Sequence, residues 1–164
     1  LTLAIVDLDH FKRINDRFGH DAGDSVLVDV ATLLKASKAA GESVCRLGGE
    51  EFALLSHTSP AALAARLERL LGRLSATPLK RGGMCLGHVT FSAGIASFPM
   101  HSASPDGLLR LADEALYCAK RSGRSTVAIY SALVEPCLQQ AEAEPGASHA
   151  QRDVGGATRG ERRQ

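Results

Sequence analysis

The sequence has no tryptophan and few aromatic residues of any kind, five Phe and two Tyr in 164 residues. That scarcity argues against a surface that holds single-stranded nucleic acid by stacking bases on rings. Charge of one sign is missing too: 19 basic and 18 acidic side chains leave a net charge of +1. Gripping DNA or an anionic membrane by bulk charge needs a large excess, whereas a small anionic ligand needs a few well-placed cations. No run approaches the roughly 18 consecutive apolar residues of a membrane span. No charged-then-apolar leader is present, and no CxxC pair occurs among Cys45, Cys85, Cys118 and Cys137. Four scattered cysteines read as buried or inert thiols of a reducing compartment, which places the chain in the cytoplasm. There is no initiator Met, and Leu1 stands directly in an apolar run. The chain therefore reads as a piece of something longer.

What is present is a globular composition, 45% hydrophobic and 23% charged, long enough for one domain with its own core. The composition shifts near Ser131. Beyond it, residues 132–164 have few large apolar side chains and no periodicity, so they are expected to form a disordered tail. The domain is residues 1–131.

Within it, residues 1–6 form an apolar run ending in Asp7, a buried strand. Phe11, Ile14 and Phe18 recur at helical spacing over 11–18. Gly19 to Gly23 predicts a break before a second helix over 24–39. Residues 43–47 and 52–56 read as two strands of a hairpin turning at Gly48-Gly49-Glu50-Glu51. Ser59-Pro60 opens a helix to about residue 74, with proline at its first position. Residues 80–86 are turn-rich, 88–98 a strand or hairpin arm, 106–122 a helix stopped by Gly123, and 126–130 a last strand. This order predicts a mixed sheet with helices packed on it.

Four polar clusters stand out. Asp7-Leu8-Asp9 puts carboxylates at a strand end, where at least one is free to hold a cation; the plain alternative is a capping Asp at a strand-to-helix turn. Mg²⁺ suits such a place, because it takes one or two protein carboxylates and leaves the rest to phosphate and water. Glu50 and Glu51, adjacent on a tight turn, repel unless solvent or a cation intervenes. Gly48 and Gly49 let a large group approach the backbone; a solvated turn is the competing reading. Lys120 and Arg124 lie four apart at the end of a helix, where cations are favoured by the helix dipole alone but can equally clamp phosphate, as can Lys12. Asn15, His20 and Asp24 surround the glycine-bounded break. Asn and Asp either cap helices there or read the hydrogen-bonding edge of a purine, and an Asp acceptor prefers guanine.

Taken in order, Asp7-Leu8-Asp9-His10-Phe11-Lys12-Arg13-Ile14-Asn15-Asp16, Gly19-His20-Asp21-Ala22-Gly23-Asp24 and Arg46-Leu47-Gly48-Gly49-Glu50-Glu51-Phe52 resemble the GGDEF family of diguanylate cyclases. Ala112-Asp113-Glu114-Ala115-Leu116-Tyr117, Ala119-Lys120 and Gly123-Arg124 resemble its C-terminal signature. The resemblance covers about residues 1–130. It implies an α+β fold similar to the nucleotidyl cyclase palm (ferredoxin-like), a mixed and mostly antiparallel central sheet flanked by helices. It implies condensation of two GTP into cyclic di-GMP with release of two pyrophosphates, Mg²⁺ or Mn²⁺ as cofactor, and a homodimer of half-sites regulated by an upstream sensory or linker domain. By position, Asp7, the Leu8 carbonyl and Glu50 hold the metal. Asn15, His20 and Asp24 bind the guanine side, and Lys12, Lys120 and Arg124 the triphosphate. Glu51 assists the metals or the deprotonation of the attacking hydroxyl. No nucleic acid or membrane contact is expected.

Two departures follow from the same comparison. Many members carry an Arg-x-x-Asp product-inhibition site before the hairpin; here Ala39-Ala40-Gly41-Glu42 stands there, so tight feedback inhibition is expected to be absent. The helix and Asp-x-Leu-Thr stretch usual before the first strand are not in this sequence, which puts the activity of the isolated piece in question. A regulatory module that binds GTP without turnover is the alternative function, and adenine-containing products are disfavoured by Asp24.

Overall fold

In chain order the elements are β1 (Thr2–Leu8), α1 (Phe11–Phe18), α2 (His20–Ser37), β2 (Ser43–Gly48), β3 (Glu51–Ser56), α3 (Pro60–Ala76), β4 (Leu79–Arg81), β5 (Met84–Gly87), β6 (Phe91–Ser97), α4 (Pro105–Arg121) and β7 (Val127–Ile129). The computed structural model describes residues 1–131; the tail expected over 132–164 lies outside the described residues. Five strands form one sheet in the order β2-β3-β1-β6-β7. β1 is antiparallel to β3 and β6, β2 is antiparallel to β3, and β7 runs parallel to β6. This is a mixed sheet packed with helices, as the element order predicts, and mostly antiparallel, as the family resemblance implies.

Alternation along β1 sends its side chains to two faces. Ala4, Val6 and Leu8 enter a core with Val26, Leu27 and Val30 of α2 and Leu63 and Leu67 of α3. Ile5 enters a second core with Leu108, Leu111, Ala112 and Leu116 of α4, and Leu3 packs against it. Asp7 continues the row of Leu3 and Ile5, so its carboxylate lies on the face that α4 covers. Gly94 of β6 brings α4 close. A Cβ there would stand 2.1 Å from both the Ala112 carbonyl oxygen and the Leu116 nitrogen, so no side chain fits. α3 and α4 start as their sequences predict. Ser59 and Ser104 accept hydrogen bonds from the backbone of Ala62 and Gly107, and Pro60 and Pro105 follow them.

Some boundaries differ from the sequence reading. The break expected from Gly19 to Gly23 shrinks to Gly19 alone (φ 84°), and α2 already begins at His20 and ends at Ser37. Gly23 is inside the helix for a packing reason: a Cβ there would lie 1.8 Å from Asn15 Oδ1 and 3.1 Å from the Phe11 ring. Its bare backbone lets α1 lie against α2. The turn-rich stretch folds as the β4–β5 hairpin, turning at Gly82 and Gly83, both at positive φ. The strand expected from residue 88 starts at Phe91. Of the cysteines, Cys118 is buried and Cys45 and Cys85 are exposed, all three as free thiols; Cys137 lies outside the described residues. Among the described residues, no helix is long and apolar enough to cross a membrane.

Candidate active site

Asp7 sits near the end of β1, opposite Glu51 of β3 and Ser92 of β6. It is 7% exposed. Lys120, in the last turn of α4, brings Nζ to 2.7 Å from Asp7 Oδ2. Burial raises the Asp7 pKa above the ordinary carboxylate value; the Lys120 hydrogen bond and charge oppose the rise, while Glu50 and Glu51 add to it. The carboxylate is thus short of solvation and holds one cation, the Lys120 ammonium.

Glu50 and Glu51 are held beside it by the β2–β3 hairpin. Gly48 and Gly49 take positive φ at the turn, and Arg46 Nε donates to the Gly49 carbonyl at 2.8 Å. The Leu8 nitrogen donates to the Glu50 carbonyl at 3.3 Å, which ties the hairpin tip to the end of β1. Asp7, Leu47, Gly48, Gly49, Glu50 and Glu51 line an open cleft of about 440 Å³. Among the described residues, no three His, Cys, Asp or Glu side chains form a ready metal cage. The donors on offer, the carboxylates of Asp7 and Glu50 with the Leu8 carbonyl, are few, hard oxygens. They fit a small divalent cation that keeps positions for phosphate and water, rather than a cation caged by protein.

A second cleft, of about 460 Å³, runs between α2 and β2. Asp24 and Lys35 line its helical side, Arg46 and Phe52 its strand side. Arg46 and Phe52 pair across the hairpin and, by strand alternation, face away from the Asp7–Glu51 pair, so the two clefts share the hairpin from its two faces. Asn15 packs at the α1–α2 contact, and its Oδ1 is buried without a hydrogen-bond partner. An orphaned acceptor of this kind is costly unless a ligand donor meets it. Lys12, His20 and Arg124 are exposed, on α1, at the start of α2 and in the turn after α4. The structure therefore gathers Asp7, Glu50, Glu51 and Lys120, sets Asp24 on the second cleft, and leaves Lys12, His20 and Arg124 at the surface. Lys120, expected on phosphate, here pairs with Asp7.

Two buried carboxylates escaped the sequence reading as organising groups. Asp9 accepts hydrogen bonds from Thr90, Ser92 and the Ser125 backbone. Glu42 receives both terminal nitrogens of Arg66. Ser and Thr at alternate positions ahead of an apolar strand hinted at the first; no local pattern signalled the second.

The sequence model of the family described as diguanylate cyclase, GGDEF domain, matches residues 1–126. The chain belongs to the GGDEF family. It is 45% identical over 130 residues to diguanylate cyclase DgcP of Pseudomonas aeruginosa, a match that covers 79% of this chain and 19% of that protein. It is 38% identical over 130 residues to cyclic di-GMP phosphodiesterase PdeR of Escherichia coli, covering 79% of this chain and again 19% of the relative. The chain thus spans about a fifth of the length of these two relatives. Among solved structures, the GGDEF domain of DgcB from Caulobacter crescentus, in complex with c-di-GMP, superposes with a TM-score of 0.73 at 37% identity, over 79% of this chain and 77% of that one. The fold expected from the motifs is the fold of the family.

Proposed function

We propose that this domain is a diguanylate cyclase half-site, one GTP per domain, and that two domains facing each other about an approximate two-fold axis make cyclic di-GMP. The single observation that carries the reading is the convergence of Asp7, the Glu50-Glu51 tip and Lys120 at one cleft; a second cleft, bearing Asp24, is lined by the same hairpin. Asp7, the Leu8 carbonyl and Glu50 would hold Mg²⁺ or Mn²⁺. When bound, such a cation neutralises phosphate charge and favours ionisation of a nearby hydroxyl.

The chain's own groups supply the rest. Asn15 and Asp24 orient the guanine by hydrogen bonds, with His20 at its side. Lys120 exchanges Asp7 for the triphosphate, and Arg124 and Lys12 add charge around it. The 3′-oxygen of one GTP forms a bond to the α-phosphorus of the other, and the bond to the pyrophosphate oxygen breaks. The hydroxyl proton leaves through a base, a role that suits Glu51. Pyrophosphate departs stabilised by Lys and Arg without proton transfer. Because each domain presents one substrate, both reactions need the paired arrangement. DgcP and PdeR are about five times as long as the matched segment, which is compatible with an input domain elsewhere in the protein, and the use of GTP calls for a cytoplasmic setting.

The test is dimerised protein with GTP and Mg²⁺, its products resolved by chromatography. Cyclic di-GMP is expected. A well-folded dimer that yields none, and whose Glu50→Ala variant binds Mg·GTP as tightly as the parent, overturns the reading. GTP binding without turnover selects the regulatory module instead, a role for which the PdeR name of one relative leaves room.

A further inference from the structure

We propose that Asp9 is a positioning residue that latches the turn carrying Arg124 to the strand end carrying Asp7. The proposal rests on the reading of Lys120 and Arg124 as triphosphate clamps.

Asp9 stands one residue beyond β1 and is 5% exposed. Its carboxylate gathers donors from two distant segments. Ser92 Oγ donates to Oδ1 at 2.7 Å. Thr90 Oγ1 and the Ser125 backbone nitrogen donate to Oδ2 at 2.8 and 2.9 Å. The Asp9 nitrogen in turn donates to the Thr90 carbonyl at 2.9 Å. Both oxygens are thereby engaged inside the protein, and such a carboxylate is poorly placed to hold a cation in the Asp7 cleft. Its effect is mechanical: it joins the end of β1, the entry to β6 and the turn after α4.

That turn needs holding. Gly123, Arg124 and Ser125 all have positive φ, at 111°, 66° and 50°. Two successive non-glycine residues on the left-handed side persist where surrounding bonds fix them. Here the bonds flank the arginine. The Arg124 nitrogen donates to the Ala119 carbonyl at 3.2 Å, the Ser125 nitrogen to Asp9, and the Ala93 nitrogen to the Thr126 carbonyl at 3.0 Å. Arg124 itself is exposed, and a long exposed side chain is aimed by its backbone. Released from Asp9, the turn loses one of the bonds that aim it, whereas the Asp7–Lys120 pair and the Leu8–Glu50 hydrogen bond do not run through Asp9.

The test uses the full chain with Asp9→Ala, Asp9→Asn, Arg124→Ala and the Asp9→Ala/Arg124→Ala double variant. Amide hydrogen exchange over residues 122–126 reads the latch. Titration with GTP and with guanosine reads the clamp. In the parent, the Ser125 amide is expected to be protected. Asp9→Ala is expected to speed its exchange about tenfold or more, to weaken GTP about tenfold, and to change guanosine affinity less than about twofold. In the Arg124→Ala background the further loss for GTP is expected to stay under about twofold, because the two residues act through one contact. Asp9→Asn keeps an oxygen acceptor and restores most of the affinity, which loss of a metal ligand or of a needed charge would not allow. Fast exchange of Ser125 in the parent overturns the latch even if Asp9→Ala fails to fold. So do independent, multiplying losses from Asp9→Ala and Arg124→Ala. A parent that binds GTP no better than guanosine overturns the clamp reading and the role of Asp9 with it. A parent that discriminates, yet leaves Ser125 unprotected, overturns the latch alone.

Discussion

Two buried carboxylates, each paired with a basic side chain, are treated in opposite ways. Glu42, whose side chain is 2% exposed, accepts from Ser56 Oγ, the Ala39 nitrogen and both terminal nitrogens of Arg66, the last two at 2.7 and 2.8 Å. Those bonds, Arg66 first among them, hold its pKa at about 2 against a burial that would raise it. Asp7 meets the single ammonium of Lys120, and there burial wins: its pKa is raised. The difference is the number of donors. A saturated carboxylate locks α3 to the loop before β2. An undersupplied one is a standing cost to the fold that a ligand can relieve, which is the usual stability–function exchange at a binding site.

The sharpest way to break this contrast is to neutralise each carboxylate. Asp7→Asn is expected to lower cyclic di-GMP synthesis by about 10²–10³-fold or more, on the scale of losing one group that stabilises transition-state charge. It is not expected to lower the melting temperature at pH 7. The sign follows from the raised pKa. The fold favours the protonated form, so the group's stabilising contribution is present below its unfolded pKa and lost as pH rises through the folded value; Asn mimics the neutral form. A melting loss as large as that of a Glu42 variant would erase the distinction.

Glu42→Ala should do the reverse. Removing one partner of a buried pair costs about 3 kcal/mol, read by denaturant unfolding, while turnover per folded molecule is unchanged. Its pKa is lowered from 4.5 to about 2. The stability it contributes is therefore present above pH 4.5 and lost as pH falls toward 2, and the acid slope in that window should flatten in the Glu42→Ala variant.

How much of this could be read from the chain differs by region. β1, the hairpin, α3 and α4 were legible because their periods, Ser-Pro starts and glycine turns agree with their tertiary roles. Gly23 was misleading. Glycine weakens a helix locally, so it looked like a break, whereas contact with Asn15 and Phe11 requires a position without a side chain. The motif residues of the site were legible as types, and the Lys120–Asp7 pair was not. Alternation placed Leu3, Ile5 and Asp7 on one face, but which helix covers that face is decided by topology. Asp9 and Glu42 lay further out of reach, since their partners stand up to 116 and 24 positions away.

A subtler test concerns the other undersupplied group at the site, the unpartnered Asn15 Oδ1. Gly23→Ala places a methyl 1.8 Å from that oxygen, so the side chain must turn away. GTP affinity is expected to fall about tenfold, or about 1.4 kcal/mol, with a smaller effect on the rate at saturating GTP. Calorimetric titration separates this from unfolding. An unchanged affinity would mean that the oxygen's isolation serves no ligand.

The smallest expected effect sharpens the saturated side. Glu42 occupies the acidic place of the product-inhibition motif that the family resemblance suggests, and Ala39 the place of its arginine. Two features then argue against product binding there: the guanidinium is missing, and the carboxylate already has four donors from within the fold. Ala39→Arg supplies the first and cannot free the second, because Arg66 stays bidentate on Glu42. Synthesis by the parent and by Ala39→Arg should both continue unchanged at micromolar cyclic di-GMP, measured as initial rates with added product. Strong noncompetitive inhibition of the parent would show that the site binds product by other groups. Inhibition appearing in Ala39→Arg alone would show that the Glu42–Arg66 pair yields to a ligand as readily as Asp7 and Lys120 are proposed to do.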